Sequence, residues 1–195
     1  MKLLRVTCCL FMLLVSLVAL AFVAVHPAAA QGLTPPPPPG ATCDTTGQGT
    51  ICQGSLTFSR VNVNIGVSCG SFQVLQSDTG TVRFTIFYNQ AGNATQRVLH
   101  IRAEGMLSNS VTGKSVPFEE AQNLTLTFAT PGDFSTVTRT QTGQVYTVAL
   151  PGSGLILHDV GRVVIAPDGT ITFEGGPHQL LDKQVQQLCA ALSEG

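Results

Sequence analysis

Hydrophobic and polar residues alternate along most of the chain between residues 55 and 176. A period of two is typical of β-strands that bury one face. The alternation is clearest in 61–67 and 82–88, where valine, isoleucine and aromatic residues occupy every second position. The strongest turn signal is Pro167-Asp168-Gly169, which separates two such segments at 160–166 and 170–174. This part of the chain therefore predicts strands joined by tight turns.

Glycine, proline, asparagine and aspartate bound the alternating segments at intervals of about 8–12 residues. The other predicted turns lie at Asp78-Thr79-Gly80, 89–93, 109–114, Pro131-Gly132-Asp133, Thr142-Gly143 and 151–154. No helical pattern separates the strands, so the sequence predicts an all-β, antiparallel meander of about 8–10 short strands. We expect a closed barrel rather than a sandwich, because closure removes the two exposed edges of a meander.

The C-terminal tail has a different period. Leu181, Val185, Leu188 and Leu192 are separated by four, three and four residues, which predicts a short C-terminal helix with a narrow apolar stripe. Cys189 follows Val185 by four residues and is expected on or beside that stripe.

The N-terminus has the pattern of a cleaved secretory signal peptide, residues 1–30. Lys2 and Arg5 precede an apolar run at 10–25, and three alanines at 28–30 form a small-residue cleavage site. The alternative, a membrane anchor, fits less well because the apolar run is shorter than the usual span of about 20 residues. We therefore predict a secreted protein, extracellular or envelope-associated, that starts at Gln31 and has no stable membrane span after cleavage.

Residues 31–54 are predicted to form a linker and a loop ahead of a β-domain at 55–195. Five consecutive prolines, 35–39, indicate an extended, semi-rigid spacer. A docking ligand for a proline-binding module is the alternative, but such modules are chiefly intracellular. The Gly/Thr-rich segment between Cys43 and Cys52 is predicted to be a loop.

Four cysteines follow the predicted cleavage point, an even number that indicates two disulfides in an exported protein. Their spacing does not suit zinc, and we expect no metal site. Of the three pairings, we predict Cys43–Cys52 and Cys69–Cys189. The first pair is close in sequence, and the second would tie the entry of the β-domain to the tail.

Charge excludes two classes of partner. Removing Lys2 and Arg5 with the leader leaves 8 basic against 11 acidic residues, a net charge of −3. This balance predicts neither a nucleic-acid footprint nor a basic membrane patch.

Motifs for nucleophilic hydrolysis, nucleotide binding and metalloprotease activity are absent from the sequence, and no cofactor is predicted. The best candidate constellation is His100, Arg102 and Glu104, because a spacing of two places them on one face of a strand. If that face pointed into a barrel, His100 could act as a base, Glu104 could orient it and Arg102 could hold an anion. The alternative, which we favour, is that the opposite face of the strand forms the core and these three residues face water.

Three further residues and a tail histidine are weaker candidates. His158 and Arg162 share one strand face, while Asp159 points away from it. We expect Arg162 to pair with a carboxylate on a neighbouring strand. His178 follows Pro177, and capping or exposure to solvent is expected for it.

Several segments match a known group. They are Ser68-Cys69-Gly70, Asn109-Ser110-Val111-Thr112-Gly113-Lys114-Ser115, Gly152-Ser153-Gly154, Val160-Gly161-Arg162-Val163-Val164, Pro167-Asp168-Gly169 and Leu188-Cys189-Ala190-Ala191-Leu192. Through them the chain resembles an uncharacterised family of secreted all-β proteins from actinobacteria and related bacteria, with no assigned activity. The resemblance covers most of residues 55–192. It implies that Cys69 and Cys189 belong to the shared core of the fold and that Cys43 and Cys52 are a local addition. It implies no catalytic residue.

Three functions remain as hypotheses. The favoured one is a secreted non-catalytic β-domain with a structural, interaction or envelope-associated role, whose specific partner is unknown. The alternatives are a barrel carrier of a small apolar ligand, and a barrel enzyme that uses His100, Arg102 and Glu104. The orientation of the strand that carries these three residues distinguishes the enzyme from the other two.

Overall fold

A computed structural model describes residues 32–180 and 185–193. The predicted signal peptide, the start at Gln31 and the predicted helix position Leu181 lie outside these residues. Within these ranges, eight strands and one α-helix follow one another. They are β1 (Thr42–Thr46), β2 (Gly49–Ser68), β3 (Gln73–Tyr88), β4 (Ala94–Asn109), β5 (Ser115–Phe128), β6 (Val137–Leu150), β7 (Gly154–Ile165), β8 (Ile171–Gly175) and α1 (Gln186–Ser193).

The strands form one antiparallel sheet in the order β1 to β8, so each strand pairs with its neighbours in sequence. The predicted all-β meander is therefore confirmed. The preference for a closed barrel is not supported, because the sheet is open and its edges are β1 and β8. Each edge strand has only five residues. β1 and β8 therefore cover only part of the longer strands beside them, 49–53 of β2 and 162–165 of β7.

Two predicted turns are wrong, which explains why several strands are longer than expected. Asp78-Thr79-Gly80 lies inside β3, and Thr142-Gly143 lies inside β6. Gly80 is opposite Phe58 on β2 and Ala103 on β4. A Cβ atom at Gly80 would lie 2.6 Å from Cζ of Phe58, so this glycine permits close packing across the sheet rather than a change of direction.

The sheet curls strongly around one of its faces, which we call the inner face. Side chains from distant strands meet there, and Val67 on β2 and Leu157 on β7 belong to one hydrophobic cluster. The helix α1 completes this cluster with Leu188 and Leu192, both fully buried. Part of the helix prediction is thereby confirmed: α1 exists, and its apolar stripe faces the sheet.

A second hydrophobic cluster fills the other end of the inner face. It includes Phe84, Ile86 and Tyr88 of β3 together with Leu33. Leu33 belongs to the segment predicted as a spacer, yet it is buried, and the Tyr88 hydroxyl donates a 2.9 Å hydrogen bond to the Pro35 carbonyl. The beginning of the proline-rich segment therefore packs against the sheet.

The predicted loop between Cys43 and Cys52 is instead a hairpin. Thr42–Thr46 pairs with Gly49–Gln53 of β2, and Cys43 lies directly opposite Cys52. The two cysteines form a disulfide across this hairpin, and Cys69 forms the second disulfide with Cys189. Both predicted pairings are present. Because β2 runs without interruption from Gly49 to Ser68, the β-sheet begins earlier than the predicted boundary at residue 55.

Candidate functional site

The structure places His100, Arg102 and Glu104 together on the exposed, outer face of β4. The opposite face of this strand carries Ala103 and Leu107, which are buried. The orientation that we favoured from the sequence is therefore confirmed. The enzyme hypothesis required the polar face to point inward, and the structure does not provide that geometry.

Cross-strand neighbours extend this outer face over β3 and β5. His100 is paired with Arg83 on β3 and with Asn123 on β5, and Nδ1 of His100 lies 2.5 Å from Oδ1 of Asn123. If Nδ1 carries the proton, it donates to the amide oxygen and leaves Nε2 free to accept a hydrogen bond. Arg102 is paired with Thr81 in the same way, one row further along.

The next row brings two carboxylates together. Glu104 on β4 lies directly opposite Glu119 on β5, and both are exposed. Like charges at opposite positions of an antiparallel pair destabilise a sheet. The sequence alone does not single out Glu119, because its position opposite Glu104 depends on the register between β4 and β5.

Three adjoining depressions run along this face and form one continuous groove. Their volumes are about 460, 660 and 390 Å³. The first two share Thr81, Arg102 and Ala121, and the last two share Glu104 and Glu119. Arg83, His100 and Arg102 line one end and the two glutamates line the other, so the groove has a basic and an acidic half. We call this surface the outer groove.

The inner face holds a buried ion cluster that no sequence motif indicated. Nε of Arg60 on β2 donates a 2.8 Å hydrogen bond to Oδ1 of Asp78 on β3, and Nη2 contacts Oδ2 of the same carboxylate. Nη2 also donates a 3.0 Å bond to Oε2 of Glu120 on β5. Both carboxylates are buried, whereas the Arg60 side chain is partly exposed. The hydrogen bond to Asp78, supported by the charges of both acids, raises the pKa of the Arg60 guanidinium above its usual value.

Tyr146 on β6 continues this polar layer between the two hydrophobic clusters. Its hydroxyl donates a 2.6 Å hydrogen bond to Oε1 of the buried Gln76, and its ring packs against Phe118 with 5.3 Å between the ring centroids. Burial, reinforced by the negative charge of Glu120, raises the pKa of Tyr146 to about 12. The phenol is therefore a hydrogen-bond donor throughout the physiological pH range.

Asp159 and His178 form a second buried pair, which corrects the expectation that His178 is exposed. Nδ1 of His178 lies 3.4 Å from Oδ1 of Asp159, and both side chains are at most 5% exposed. The other carboxylate oxygen, Oδ2, accepts a 2.9 Å hydrogen bond from the backbone N–H of Leu180. Asp159 thus anchors the segment that follows β8 and leads towards α1.

His158 and Arg162 lie elsewhere. His158 is half-buried on β7, and its Nδ1 lies 3.3 Å from Oγ1 of Thr147. Among the residues that the structure describes, no carboxylate forms the predicted ion pair with Arg162. Its guanidinium lies 5.4 Å from the ring centroid of Phe173 on β8, a cation–π contact. The sequence does not show which residues neighbour Arg162 across the β7–β8 ladder. The contact with Phe173 was therefore not predicted.

In the described part of the chain, no group of three or more His, Cys, Asp or Glu is placed to hold a metal ion. Within the same ranges, no helix combines the length and hydrophobicity that a transmembrane span requires.

Comparisons with family models, with curated proteins and with solved structures found no match to this chain. The class that the fold and the sites define is therefore an open, strongly curled antiparallel meander. It is stabilised by two disulfides and carries a polar groove on its outer face. The resemblance to secreted actinobacterial proteins stays a prediction.

Proposed function

We propose that the protein is a secreted, non-catalytic binding domain whose outer groove takes an extended polar ligand at the cell exterior. The observation that carries this proposal is the continuity of the groove across β3, β4 and β5. The walls of the groove are long paired strands, which are rigid. A ligand can therefore bind without the entropy cost of ordering a loop. The two disulfides agree with an oxidising, extracellular environment.

The chemistry of the groove favours recognition of polar groups at two separated points. Arg102, with Arg83 beside His100, offers donors to an anion or to hydroxyl oxygens, whereas Glu104 and Glu119 accept hydrogen bonds or meet a cation. The close approach of the two glutamates is unfavourable without a ligand, and a positive or hydrogen-bond-donating group would relieve it. An envelope glycan or a surface peptide has groups of both kinds.

The carrier hypothesis has less support in this geometry. The inner face is occupied at both ends by hydrophobic clusters and between them by the Arg60 ion cluster, so an apolar ligand would have to displace packed side chains. Native mass spectrometry of the exported protein tests this alternative directly. A stoichiometric apolar adduct would favour the carrier over our proposal.

Co-sedimentation with isolated cell envelope tests the proposed function. We expect the wild-type protein to sediment with the envelope and Arg102→Ala to reduce the bound fraction. Arg139→Ala is the matched control, because Arg139 is also exposed but lies on β6, outside the groove. Equal binding by both variants, or no binding by the wild type, would contradict the proposal.

A further inference from the structure

The free edge of β2 points to a second site, which adjoins the outer groove at Thr57 and Phe58. β1 pairs only with Gly49–Gln53 of β2, so the strand continues beyond Gln53 with β3 as its neighbour on one side only. The β2–β3 register is regular up to Arg60 and shifts between Arg60 and Val63. Residues 54–60 are therefore a regularly paired stretch of seven residues that has no strand partner on its other side within 32–180 and 185–193.

Natural edge strands usually carry features that prevent pairing, such as lysine, proline or a bulge. The stretch Gly54–Arg60 has neither proline nor lysine. Its single charged side chain, Arg60, is directed to Asp78 and Glu120 and is neutralised by them. The register shift begins only after Arg60, where Asn62 has a φ of 52°. The register shift that would prevent pairing thus lies beyond residues 54–60. These residues themselves can still pair with another strand.

The residues of this edge are symmetric about Thr57. The order is Ser55-Leu56-Thr57-Phe58-Ser59, with a serine at each end and a large apolar residue on each side of the threonine. In an antiparallel pair with a second copy, centred on Thr57, each serine meets a serine, Leu56 meets Phe58 and Thr57 meets itself. These are favourable cross-strand pairs, and no like charges become opposed.

The exposure of the apolar residues agrees with such a pairing. Leu56 is 39% exposed although it lies on the inner-face side of the strand, opposite Val82. A neighbouring strand would cover it with the Phe58 side chain of the second copy. The available length is set at both ends, because the pairing with β1 reaches only to Gln53 and the register shift follows Arg60.

We infer that the protein forms a twofold-symmetric dimer through antiparallel pairing of residues 54–60 of β2 with the same residues of a second copy. A twofold axis at Thr57 makes the contact isologous, so the assembly closes at two copies and does not extend into a fibre. The opposite edge, β8, is shorter and carries Glu174, which makes it a poorer partner for self-association.

Sedimentation of the mature protein at about 100 µM tests this inference, since even a micromolar dimer is assembled at that concentration. We expect a dimer, and Thr57→Lys should raise its Kd at least about tenfold because two lysines would meet on the axis. Thr81→Lys is the matched control, because Thr81 is the exposed β3 partner of Thr57 and lies one strand away from the edge. A monomeric wild type, or equal effects of the two lysines, would overturn the inference.

Cross-linking provides a second measurement that does not depend on tolerance of lysine. Thr57→Cys should give a disulfide-linked dimer under mild oxidation, since facing residues of paired strands lie within the distance that a disulfide spans. Thr81→Cys should remain uncross-linked at the same protein concentration. A dimer that forms in solution but is not captured by Thr57→Cys would show that another surface is used.

Discussion

Nη2 of Arg60 on β2 donates a 3.0 Å hydrogen bond to Oε2 of Glu120 on β5, although β3 and β4 lie between these strands in the sheet. In a flat sheet, strands three positions apart are separated by about 14 Å. The contact therefore requires the strong curl of the sheet. The curl also buries the carboxylates of Asp78 and Glu120. Among the described residues, only Arg60 neutralises their charges.

We predict that Arg60→Met destabilises the fold by about 2–4 kcal/mol, because it leaves two buried carboxylates without their cation. The partial exposure of Arg60 limits the loss. Adding Asp78→Asn and Glu120→Gln to Arg60→Met should recover part of it. Arg102→Met, on the exposed face, should change the free energy of unfolding by less than about 0.5 kcal/mol. Denaturant unfolding measures all three, and an equal loss for Arg60→Met and Arg102→Met would contradict the role of the cluster.

Gly105→Ala should destabilise the protein by about 1–3 kcal/mol through overpacking. A Cβ atom at Gly105 would overlap the Ser77 carbonyl and lie 2.6 Å from Cβ of Asp78. Gly47→Ala is the control, because a Cβ atom there would have no neighbour within 4 Å. Thermal unfolding of the two variants should differ clearly. Similar midpoints would mean that the approach of β3 to β4 is not needed for the curl.

Alkaline pH should destabilise the protein in part through Tyr146. Burial holds its pKa at about 12 in the folded state, above the ordinary value of 10.0. The folded protein thus retains the phenol proton more tightly than the unfolded chain does. The resulting stability is fully present below about pH 10 and is lost as pH rises from about 10 to 12. Tyr146→Phe should show a smaller fall in unfolding free energy across this range, and an unchanged slope would contradict the assignment.

Glu104→Gln should leave the fold intact and stabilise it by up to about 0.5 kcal/mol, because it removes the repulsion with Glu119. His100→Ala should change stability by no more than about 0.5 kcal/mol in either direction, since the side chain is exposed. Chemical denaturation at neutral pH and at two salt concentrations measures both effects. A loss of several kcal/mol in either variant would show that this face of β4 is buried rather than exposed to solvent.

Reduction or Cys189→Ser should release the C-terminal tail to proteolysis before the strands open. The Cys69–Cys189 disulfide has a sequence separation of 120, and the chain-entropy model assigns loops of that order about 4–5 kcal/mol. The helix has only eight residues and depends on Leu188 and Leu192 for its packing. Cys43→Ser is the control, because its disulfide lies within a hairpin at the other end of the inner face. Limited proteolysis followed by mass spectrometry distinguishes the two variants, and simultaneous loss of tail and strands would contradict the prediction.

The sequence by itself determined the class of fold, the order of the strands, the two disulfides and the exposed orientation of His100. The buried faces and the turns are local properties: alternation sets which face of a strand is buried, and Pro167-Asp168-Gly169 needs no distant partner to form its turn. The disulfide pairing followed instead from the even number of cysteines and their positions along the chain. The short helix at Gln186–Ser193 likewise followed from apolar residues three and four positions apart.

Only the tertiary structure decided that the sheet stays open, that Asp78-Thr79-Gly80 continues a strand, and that His178 is buried against Asp159. Each depends on residues distant in sequence: Gly80 packs against Phe58, and Asp78 meets Arg60. Glu119 and Glu104 became one site because the β4–β5 register places them opposite each other. Register and curl arise from the packing of whole strands, and no local pattern around any one of these residues contains that information.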